Sequence, residues 1–277
     1  MGKGKMDEMK SDKCMEQAVV CVSFGTSVPA GRENITAVEN ALRQSARDRV
    51  FVSALTSPTI RRILRERGET VYSVSEVLES LWSQGVTEVL VQPTHILCGH
   101  EYDKLKWEAE TWRDRFDTLR IGRPLLTDTD DLQTLAAGLS AAYPARSGET
   151  LVLFGHGTDH AANLIYPALQ ATFHLAGRSD VLVGTAEGWP AFEDVLAQLN
   201  VQSGKNVHLV PLLVAGGHAL NEMAGSGSDS WKSRLEAEGF TVRATLRGLG
   251  VMPAVQEMYC AHLEEDLQGD CHGTRLL

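Results

Sequence analysis

Short apolar runs alternate with longer amphipathic stretches along most of the chain. In the first half, the runs at residues 18–24, 50–55, 88–92 and 119–122 predict four strands. The runs are continuous rather than alternating, which is typical of parallel strands covered on both faces. The stretches between them carry apolar residues at helical spacing and predict helices at residues 34–47, 58–67, 74–84, 101–116 and 131–143.

The second half repeats this alternation. Strands are predicted at residues 151–154, 181–185, 207–214 and 240–244, and helices at residues 159–175, 190–199, 229–238 and 253–267. Pro167 falls in the middle of one of these helices, where we expect it to kink or split the helix. Strand–helix alternation on this scale indicates βαβ units and parallel sheets.

The predicted fold is therefore α/β, with two similar domains that each have a central parallel sheet flanked by helices. Polar residues 1–17 are expected to form a flexible N-terminal segment. A Pro/Ser/Gly-containing connector at residues 144–148 marks the expected boundary between an N-terminal domain, 18–145, and a C-terminal domain, 146–268. The last helix is predicted either to stay with the second domain or to pack on the first.

Two short motifs recur in the same order in both halves. Residues 22–26, VSFGT, resemble residues 152–156, VLFGH, and this alignment places Thr26 opposite His156. The second motif runs from a proline to a Gly-His pair, at residues 93–100 and again at 211–218. Both motifs fall at strand ends, where open α/β sheets bind ligands. We therefore expect an active-site cleft between the two halves.

Composition narrows the class of protein. The chain has 277 residues, of which 43% are hydrophobic and 22% charged, enough for two cores. A net charge of −10 disfavours nucleic acid as a partner. No apolar run reaches the ~20 residues of a membrane span, and no signal peptide is evident at the start, so a cytoplasmic protein is expected. Five scattered cysteines without a C-x-x-C pair favour neither disulfides nor a thiolate zinc site.

Three side chains at predicted strand ends are candidate metal ligands. His156 follows an apolar strand in a Gly-His-Gly sequence, and His218 follows another after a glycine pair. Glu187 comes just after the strand at residues 181–185. Two imidazoles and a carboxylate suit several divalent metals, so these ligand types leave the metal open. The alternatives are loop histidines that only form hydrogen bonds and a glutamate at a helix entry.

Other candidates carry weaker signals. His160 is interpreted as a helix-start or surface residue, and the roles of His95 and His100 stay open. Four arginines on one short helix form either a solvated face or a site for a polycarboxylate; they are Arg61, Arg62, Arg65 and Arg67. The chain contains no P-loop, no dinucleotide fingerprint and no nucleophile elbow.

The motifs together resemble those of a known family over residues 18–265. They are Val22-Ser23-Phe24-Gly25-Thr26-Ser27, Thr56-Ser57, His95-Ile96, Gly155-His156-Gly157, Glu187 before Pro190, Val214-Ala215-Gly216 with His218, and Ser228-Asp229-Ser230-Trp231-Lys232. The chain resembles the class II tetrapyrrole chelatases, and among them the sirohydrochlorin cobaltochelatases of the anaerobic pathway. Each motif alone is weak, and the combination is specific.

The resemblance implies insertion of Co²⁺ into sirohydrochlorin, a tetrapyrrole with eight carboxylates, on the route to cobalamin. It implies that His156 is both metal ligand and proton acceptor, that Glu187 and His218 complete the ligand set, and that neither ATP nor a cofactor beyond the substrate metal is needed. The expected partners are sirohydrochlorin and a divalent metal, and a homo-oligomer is compatible with the sequence. Two alternatives are a ferrochelatase that makes sirohaem from Fe²⁺ and a non-catalytic protein that binds metal or tetrapyrrole.

Overall fold

The computed structural model describes residues 16–217 and 219–269. Contacts between Cα atoms divide the chain into two compact units. The first unit contains the N-terminal segment up to Ser27, Thr36–Leu125 and the segment that begins at Gln256. The second contains Val28–Ile35 and Leu126–Val255. Residues 1–15 of the predicted flexible segment lie outside the described residues.

The first unit contains a four-stranded parallel sheet. Its strands are β1 (Gln17–Ser23), β2 (Val50–Leu55), β3 (Glu88–Pro93) and β4 (Thr118–Ile121), in the spatial order β2-β1-β3-β4. The helices along this part of the chain are α1 (Pro29–Ser45), α2 (Pro58–Glu66), α3 (Val74–Ser83) and α4 (His100–Glu110). The sheet and α3 enclose an apolar core that includes Val20, Val22, Leu78 and Val91.

The second unit repeats this topology. Strands β5 (Glu149–Gly155), β6 (Val181–Thr185), β7 (Asn206–Pro211) and β8 (Thr241–Ala244) pair in the order β6-β5-β7-β8, again all parallel. The helices between β4 and the end of the described chain are α5 (Thr129–Ala142), α6 (Ile165–Leu175), α7 (Phe192–Val201), α8 (Ala219–Ala224), α9 (Trp231–Ala237) and α10 (Pro253–Gln268). The predicted fold class of two similar parallel α/β sheets is confirmed.

Local chemistry explains several of the helix starts. The Ser57 hydroxyl accepts a hydrogen bond from the Ile60 N–H at 3.3 Å, and Pro58 occupies the first helical position, so α2 begins where the sequence predicts. At α3, Ser73 and Glu76 form a reciprocal capping box, with the Glu76 carboxylate accepting from the Ser73 N–H at 2.7 Å. These caps satisfy N–H groups that the helices cannot pair internally.

The observed elements differ from the predicted ones at several points. Among the boundaries, α1 begins at Pro29 rather than at residue 34, and β7 ends at Pro211 rather than at residue 214. The helix predicted at residues 101–116 ends at Glu110 and is followed by a 3₁₀ turn, Arg113–Arg115. The helix predicted at residues 159–175 is a 3₁₀ segment, Ala161–Leu164, joined to α6. Pro167 lies in the first turn of α6, where its missing N–H breaks no helical hydrogen bond. The short helix α8 has no counterpart in the predictions.

The strand registers correct the alignment of the first repeated motif. Val22 of β1 pairs with Pro93 of β3, and Phe154 of β5 pairs with Pro211 of β7. The two halves therefore match with an offset of 132 residues at this strand (from 22 to 154), rather than 130. The residue equivalent to His156 is then Phe24, and the expected match with Thr26 is wrong.

The second repeated motif keeps its predicted offset. Pro93 and Pro211 occupy equivalent positions in β3 and β7, 118 residues apart (from 93 to 211). In the first unit the Thr94 N–H donates to the Val22 carbonyl at 2.8 Å. In the second unit the Leu212 N–H donates to the Phe154 carbonyl at 2.7 Å. The chain therefore leaves both sheets by the same route.

In the described part of the chain, no helix combines the length and the apolar character that a membrane crossing requires.

Candidate metal site

His156 is the first residue after β5, at the carboxyl end of the central strand of its sheet. The chain turns at Gly157, whose φ of +84° is in the left-handed region that favours glycine. A side chain at this position would also collide with the next loop, because an added Cβ would lie 2.5 Å from the Gly188 nitrogen. Gly157 therefore lets the His156 loop pack directly on the loop that follows β6.

That second loop carries Glu187. The Glu187 N–H donates to the His156 carbonyl at 2.8 Å, and the Ala186 N–H donates to the Gly155 carbonyl at 3.0 Å. These backbone bonds extend the pairing of β5 with β6 beyond the last strand residues. As a result, two side chains that are 31 positions apart in the sequence (from 156 to 187) emerge side by side.

The His156 Nε2 and Glu187 Oε2 atoms are 3.6 Å apart. Their side chains are 55% and 65% exposed, so both have room for a ligand. Two ligand atoms on one ion at bond lengths of 2.0–2.2 Å are about 3.3–3.6 Å apart in tetrahedral geometry. The pair is thus spaced for a shared divalent ion with only a small adjustment.

Buried hydroxyl groups support both loops. The Tyr166 Oη accepts a hydrogen bond from the Gly157 N–H at 3.2 Å. Burial raises the pKa of Tyr166, and the bond from Gly157 offsets part of that increase. In the second loop, the Thr185 Oγ1 accepts from the Gly188 N–H at 3.1 Å and donates to the Pro190 carbonyl at 3.1 Å. The site therefore rests on neutral donors and acceptors that bring no additional charge.

The amide of Asn163 contacts both loops at once. Its Oδ1 accepts from the Thr158 N–H at 3.1 Å, and its Nδ2 donates to the Trp189 carbonyl at 2.6 Å. The sequence does not predict a role at the site for Asn163, Tyr166 or Thr185. Their contacts join segments whose proximity depends on the tertiary fold.

The third predicted ligand, His218, lies outside the described residues. The loop leading to it is described up to Gly217, and Gly216 and Gly217 have φ values of +82° and +59°. The glycine pair thus turns the backbone after β7, as its composition indicates. Across residues 16–217 and 219–269, no three His, Cys, Asp or Glu side chains converge as a metal site. The ligand role of His218 stays a prediction.

The other histidines have different surroundings. The His160 Nδ1 accepts from the Ala162 N–H at 3.1 Å and caps the 3₁₀ segment Ala161–Leu164. Both ring nitrogens of His95 are buried, and neither has a hydrogen-bond partner among the residues that the structure describes. Burial lowers the pKa of His95 to about 4, with the nearby Glu101 acting in the opposite direction, so the imidazole is neutral at pH 7.

The arginine cluster of α2 is largely engaged within its own unit. Arg61 donates to the Thr56 carbonyl at 2.9 Å, Arg65 to the Val71 carbonyl at 2.8 Å, and Arg67 to the Ser27 carbonyl at 2.7 Å. Arg62 pairs with Glu66 at 3.4 Å on the exposed surface of the helix. These contacts favour a structural role over a role in binding carboxylates.

Two large apolar side chains near the site are exposed to solvent. Trp189, which follows Glu187 by two residues, is 55% exposed, and Leu164, which follows Asn163, is 70% exposed. Exposed apolar groups beside polar ligands are typical of ligand-binding surfaces. Trp189 belongs to the loop that carries Glu187, and Leu164 adjoins Asn163, which bridges the two ligand loops.

A family model described as "Cobalt chelatase (CbiK)" matches residues 17–268, which covers both sheets and the candidate site. The chain belongs to the cobalt chelatase (CbiK) family. Two curated relatives support this. The sirohydrochlorin cobaltochelatase of Salmonella typhimurium is 38% identical over 257 residues, covering 91% of this chain and 97% of the relative. The sirohydrochlorin cobaltochelatase CbiKC of Nitratidesulfovibrio vulgaris is 33% identical over 270 residues, covering 94% and 95%.

Solved structures share the fold of this cobalt chelatase family member. SirB from Bacillus subtilis with Fe³⁺ superimposes with a TM-score of 0.66 at 16% identity, covering 92% of this chain and 98% of SirB. The sirohydrochlorin chelatase SirB of Bacillus subtilis subspecies spizizenii, in complex with cobalt, gives a TM-score of 0.64 at 15% identity and covers 92% and 96%. At these identities the similarity concerns the fold alone.

Proposed function

We propose that this cobalt chelatase family member inserts Co²⁺ into sirohydrochlorin, with His156, Glu187 and His218 as metal ligands and His156 as proton acceptor. The observation that carries the proposal is the 3.6 Å approach of the His156 Nε2 to the Glu187 Oε2 at the carboxyl end of a parallel sheet. The two curated relatives, which align over 91% and 94% of this chain, have this activity in their names. We place the reaction in the cytoplasm, with no cofactor beyond the metal substrate.

The chemistry requires two protons to leave the macrocycle. Co²⁺ replaces the protons of two pyrrole N–H groups, so the reaction releases two H⁺ for each ion inserted. A neutral imidazole is suited to accept one of them near neutral pH. His156 first binds the ion through a ring nitrogen. As the pyrrole nitrogens take over the ion, that nitrogen becomes free to accept a proton, and the second proton passes to Glu187 or to solvent.

The exposure of the two side chains suits a metal that must be released. Each side chain is more than half exposed, so the charge on the ion is screened by water and can be transferred. A set of two histidines and one carboxylate leaves coordination positions open for the incoming pyrrole nitrogens. A closed structural site with four protein ligands would instead retain its ion.

The surroundings of the pair fit a flat apolar ring. Trp189 and Leu164 provide exposed apolar surface, 55% and 70% exposed respectively. The chain has a net charge of −10, so the general field opposes a ligand with several carboxylates. Contacts with the ring face therefore have to supply much of the affinity, and aromatic groups such as Trp189 are suited to this.

The decisive experiment measures insertion directly. Purified protein is mixed anaerobically with sirohydrochlorin and Co²⁺, and the visible spectrum of the macrocycle is followed in a single turnover. We expect conversion well above the rate without protein. A rate equal to the uncatalysed one would overturn the enzyme proposal and leave a binding protein.

The same assay with Fe²⁺ tests the choice of metal, because imidazole and carboxylate ligands also accept iron. We expect faster insertion of Co²⁺. Equal or faster insertion of Fe²⁺ would contradict the cobalt assignment and favour a ferrochelatase.

A further inference from the structure

We propose that Asn163 is a positioning residue that holds His156 and Glu187 at the separation needed to bind one metal ion. The inference rests on the proposed function, since it concerns the same site. It goes beyond that function by assigning the geometry of the ligand pair to a side chain that touches neither ligand's functional group.

The two hydrogen bonds of the Asn163 amide fall on the two loops that carry the candidate ligands. Its Oδ1 accepts from the N–H of Thr158, which lies two residues after His156. Its Nδ2 donates to the carbonyl of Trp189, which lies two residues after Glu187. The amide therefore joins the two ligand loops at positions two residues after each candidate ligand.

Together with a backbone bond between the two loops, these bonds complete a closed arrangement. On the strand side, the Glu187 N–H donates to the His156 carbonyl at 2.8 Å. On the outer side, Asn163 bridges Thr158 and Trp189 at 3.1 Å and 2.6 Å. With both links in place the loops cannot slide or separate, and the side chains between the links keep their spacing.

The chemistry of the bridge fits a carboxamide side chain. The bridge requires an acceptor for one loop and a donor for the other, within one short side chain. A carboxamide has both, whereas a carboxylate only accepts and an aliphatic group does neither. Asn163 also lies on the 3₁₀ segment Ala161–Leu164 just before α6, so a rigid element anchors it.

The Asn163 amide is closely packed against the loop that carries Glu187. An added Cβ on Gly188 would lie 2.3 Å from the Asn163 Oδ1 and 3.0 Å from the Thr158 nitrogen. Gly188 has no left-handed φ, so the glycine is required by this contact and not by backbone strain. The loop that carries Glu187 therefore accepts no side chain where it meets Asn163.

The test uses two substitutions of Asn163 and measures the binding of Co²⁺ alone. Asn163→Ala removes both bonds. Asn163→Asp keeps an acceptor for Thr158 but places an oxygen against the Trp189 carbonyl. Each variant of the full-length chain is titrated with Co²⁺, and the visible absorption of the bound ion gives both the affinity and the coordination geometry.

We expect both variants to bind Co²⁺ about 10–100-fold more weakly, the usual effect of losing a group that orients a metal ligand. The KM for Co²⁺ should rise in parallel, while the KM for sirohydrochlorin stays within about twofold. A general loss of structure would change both KM values and the thermal midpoint. Asn206→Ala is the matched control, because the Asn206 Nδ2 donates to the Gly148 carbonyl at 3.3 Å at the amino end of the same sheet.

Gly188→Ala tests the same contact from the other loop. Alone, it should weaken Co²⁺ binding by displacing the Asn163 amide. Combined with Asn163→Ala, it should add much less, because the smaller side chain leaves room for the new methyl group. Fully additive losses would overturn the proposed coupling.

The inference fails if Asn163→Ala and Asn163→Asp bind Co²⁺ within twofold of the wild type. Failure of the proposed function has a different signature, since the wild type itself would then show no insertion, and His156→Ala would leave Co²⁺ binding unchanged.

Discussion

The carboxyl ends of the two sheets have the same backbone and different chemistry. In the second unit, the Glu187 N–H donates to the His156 carbonyl at 2.8 Å, and in the first unit the Ser57 N–H donates to the Phe24 carbonyl at 3.3 Å. A glycine with left-handed φ follows in each, Gly157 at +84° and Gly25 at +90°. The second unit has an imidazole and a carboxylate at these positions, whereas the first unit has Phe24 and Ser57. The candidate ligands therefore do not follow from the fold alone.

The difference between Glu187 and Ser57 depends on the start of the next helix. In the first unit, α2 begins at Pro58, and the Ser57 hydroxyl is used as its N-cap. In the second unit, α7 begins at Phe192, after a further loop. The longer connection leaves Glu187 without a capping role and 65% exposed. A few inserted residues thus turn a structural position into a candidate ligand.

The largest expected effect comes from His156→Ala. Loss of a group that both binds the ion and accepts a proton should lower the rate of Co²⁺ insertion at least about 100-fold, because general-base catalysis alone typically contributes 10²–10⁴-fold. Single-turnover rates with sirohydrochlorin measure this. The exposed side chain should leave the circular dichroism and the thermal midpoint unchanged. A rate within threefold of the wild type would show that His156 is not the base.

Glu187→Gln and Ser57→Ala form the next comparison. Glu187→Gln removes a charged ligand and should raise the KM for Co²⁺ about 10–100-fold with little change in stability. Ser57→Ala removes a helix cap and should lower the free energy of unfolding by about 1 kcal/mol without changing Co²⁺ binding. Metal titrations and urea unfolding of both variants test the pair. Weaker Co²⁺ binding in Ser57→Ala would contradict the division between the units.

Phe24→Ala tests whether sirohydrochlorin contacts the first unit at the position equivalent to His156. Phe24 is 48% exposed at the carboxyl end of β1, where parallel sheets bind ligands. Covering the exposed part of a Phe ring is worth about 1 kcal/mol, so the KM for sirohydrochlorin should rise about fivefold, while Co²⁺ binding stays unchanged. Trp82→Ala is a control with similar exposure, since Trp82 lies on α3 of the same unit and is 44% exposed. Equal KM values for sirohydrochlorin in the two variants would show that Phe24 does not contact the substrate.

The succession of strands and most helices along the chain could be predicted from the sequence, because buried parallel strands are continuous apolar runs and caps such as Ser57 mark helix starts. The order of the strands within each sheet was not predicted. The positions of His156 and Glu187 could be predicted because a polar residue one or two positions after such a run lies at the carboxyl end of the sheet. Their roles as metal ligands stay predictions. The match of Thr26 with His156 was wrong because the Phe-Gly pairs of the two motifs align two residues away from the true register. Only the hydrogen bonds between strands define that register.

Asn163 could not be predicted for a different reason. Its segment has the apolar spacing of one long helix, and nothing in the sequence indicates that residues 161–164 form a 3₁₀ turn. Its contact with Trp189 joins positions 26 residues apart across two loops. Contacts of this kind follow from the packing of β5 against β6 and appear only when the fold is known.

His95→Leu should have the smallest effect on catalysis and a clear effect on acid stability. By the register of Pro93 with Pro211, the counterpart of His95 is Leu213, which packs on the core of the second unit. Burial lowers the pKa of His95 to about 4, against about 6.5 for an unfolded chain. Between these values the unfolded state binds more protons, so stability is full above pH 6.5 and falls as the pH decreases towards 4.

This single group should cost the wild type about 2 kcal/mol of unfolding free energy between pH 7 and pH 5. His95→Leu removes the titrating group and two buried nitrogens that have no hydrogen-bond partner in the described part of the chain, so its unfolding free energy should fall by about 2 kcal/mol less over the same interval. Urea unfolding at pH 7 and pH 5 measures the difference. If the unfolding free energies of wild type and variant fell equally between pH 7 and pH 5, burial would not hold His95 neutral. The replacement of Leu213 by a histidine at the equivalent position of the first unit would then have no effect on acid stability.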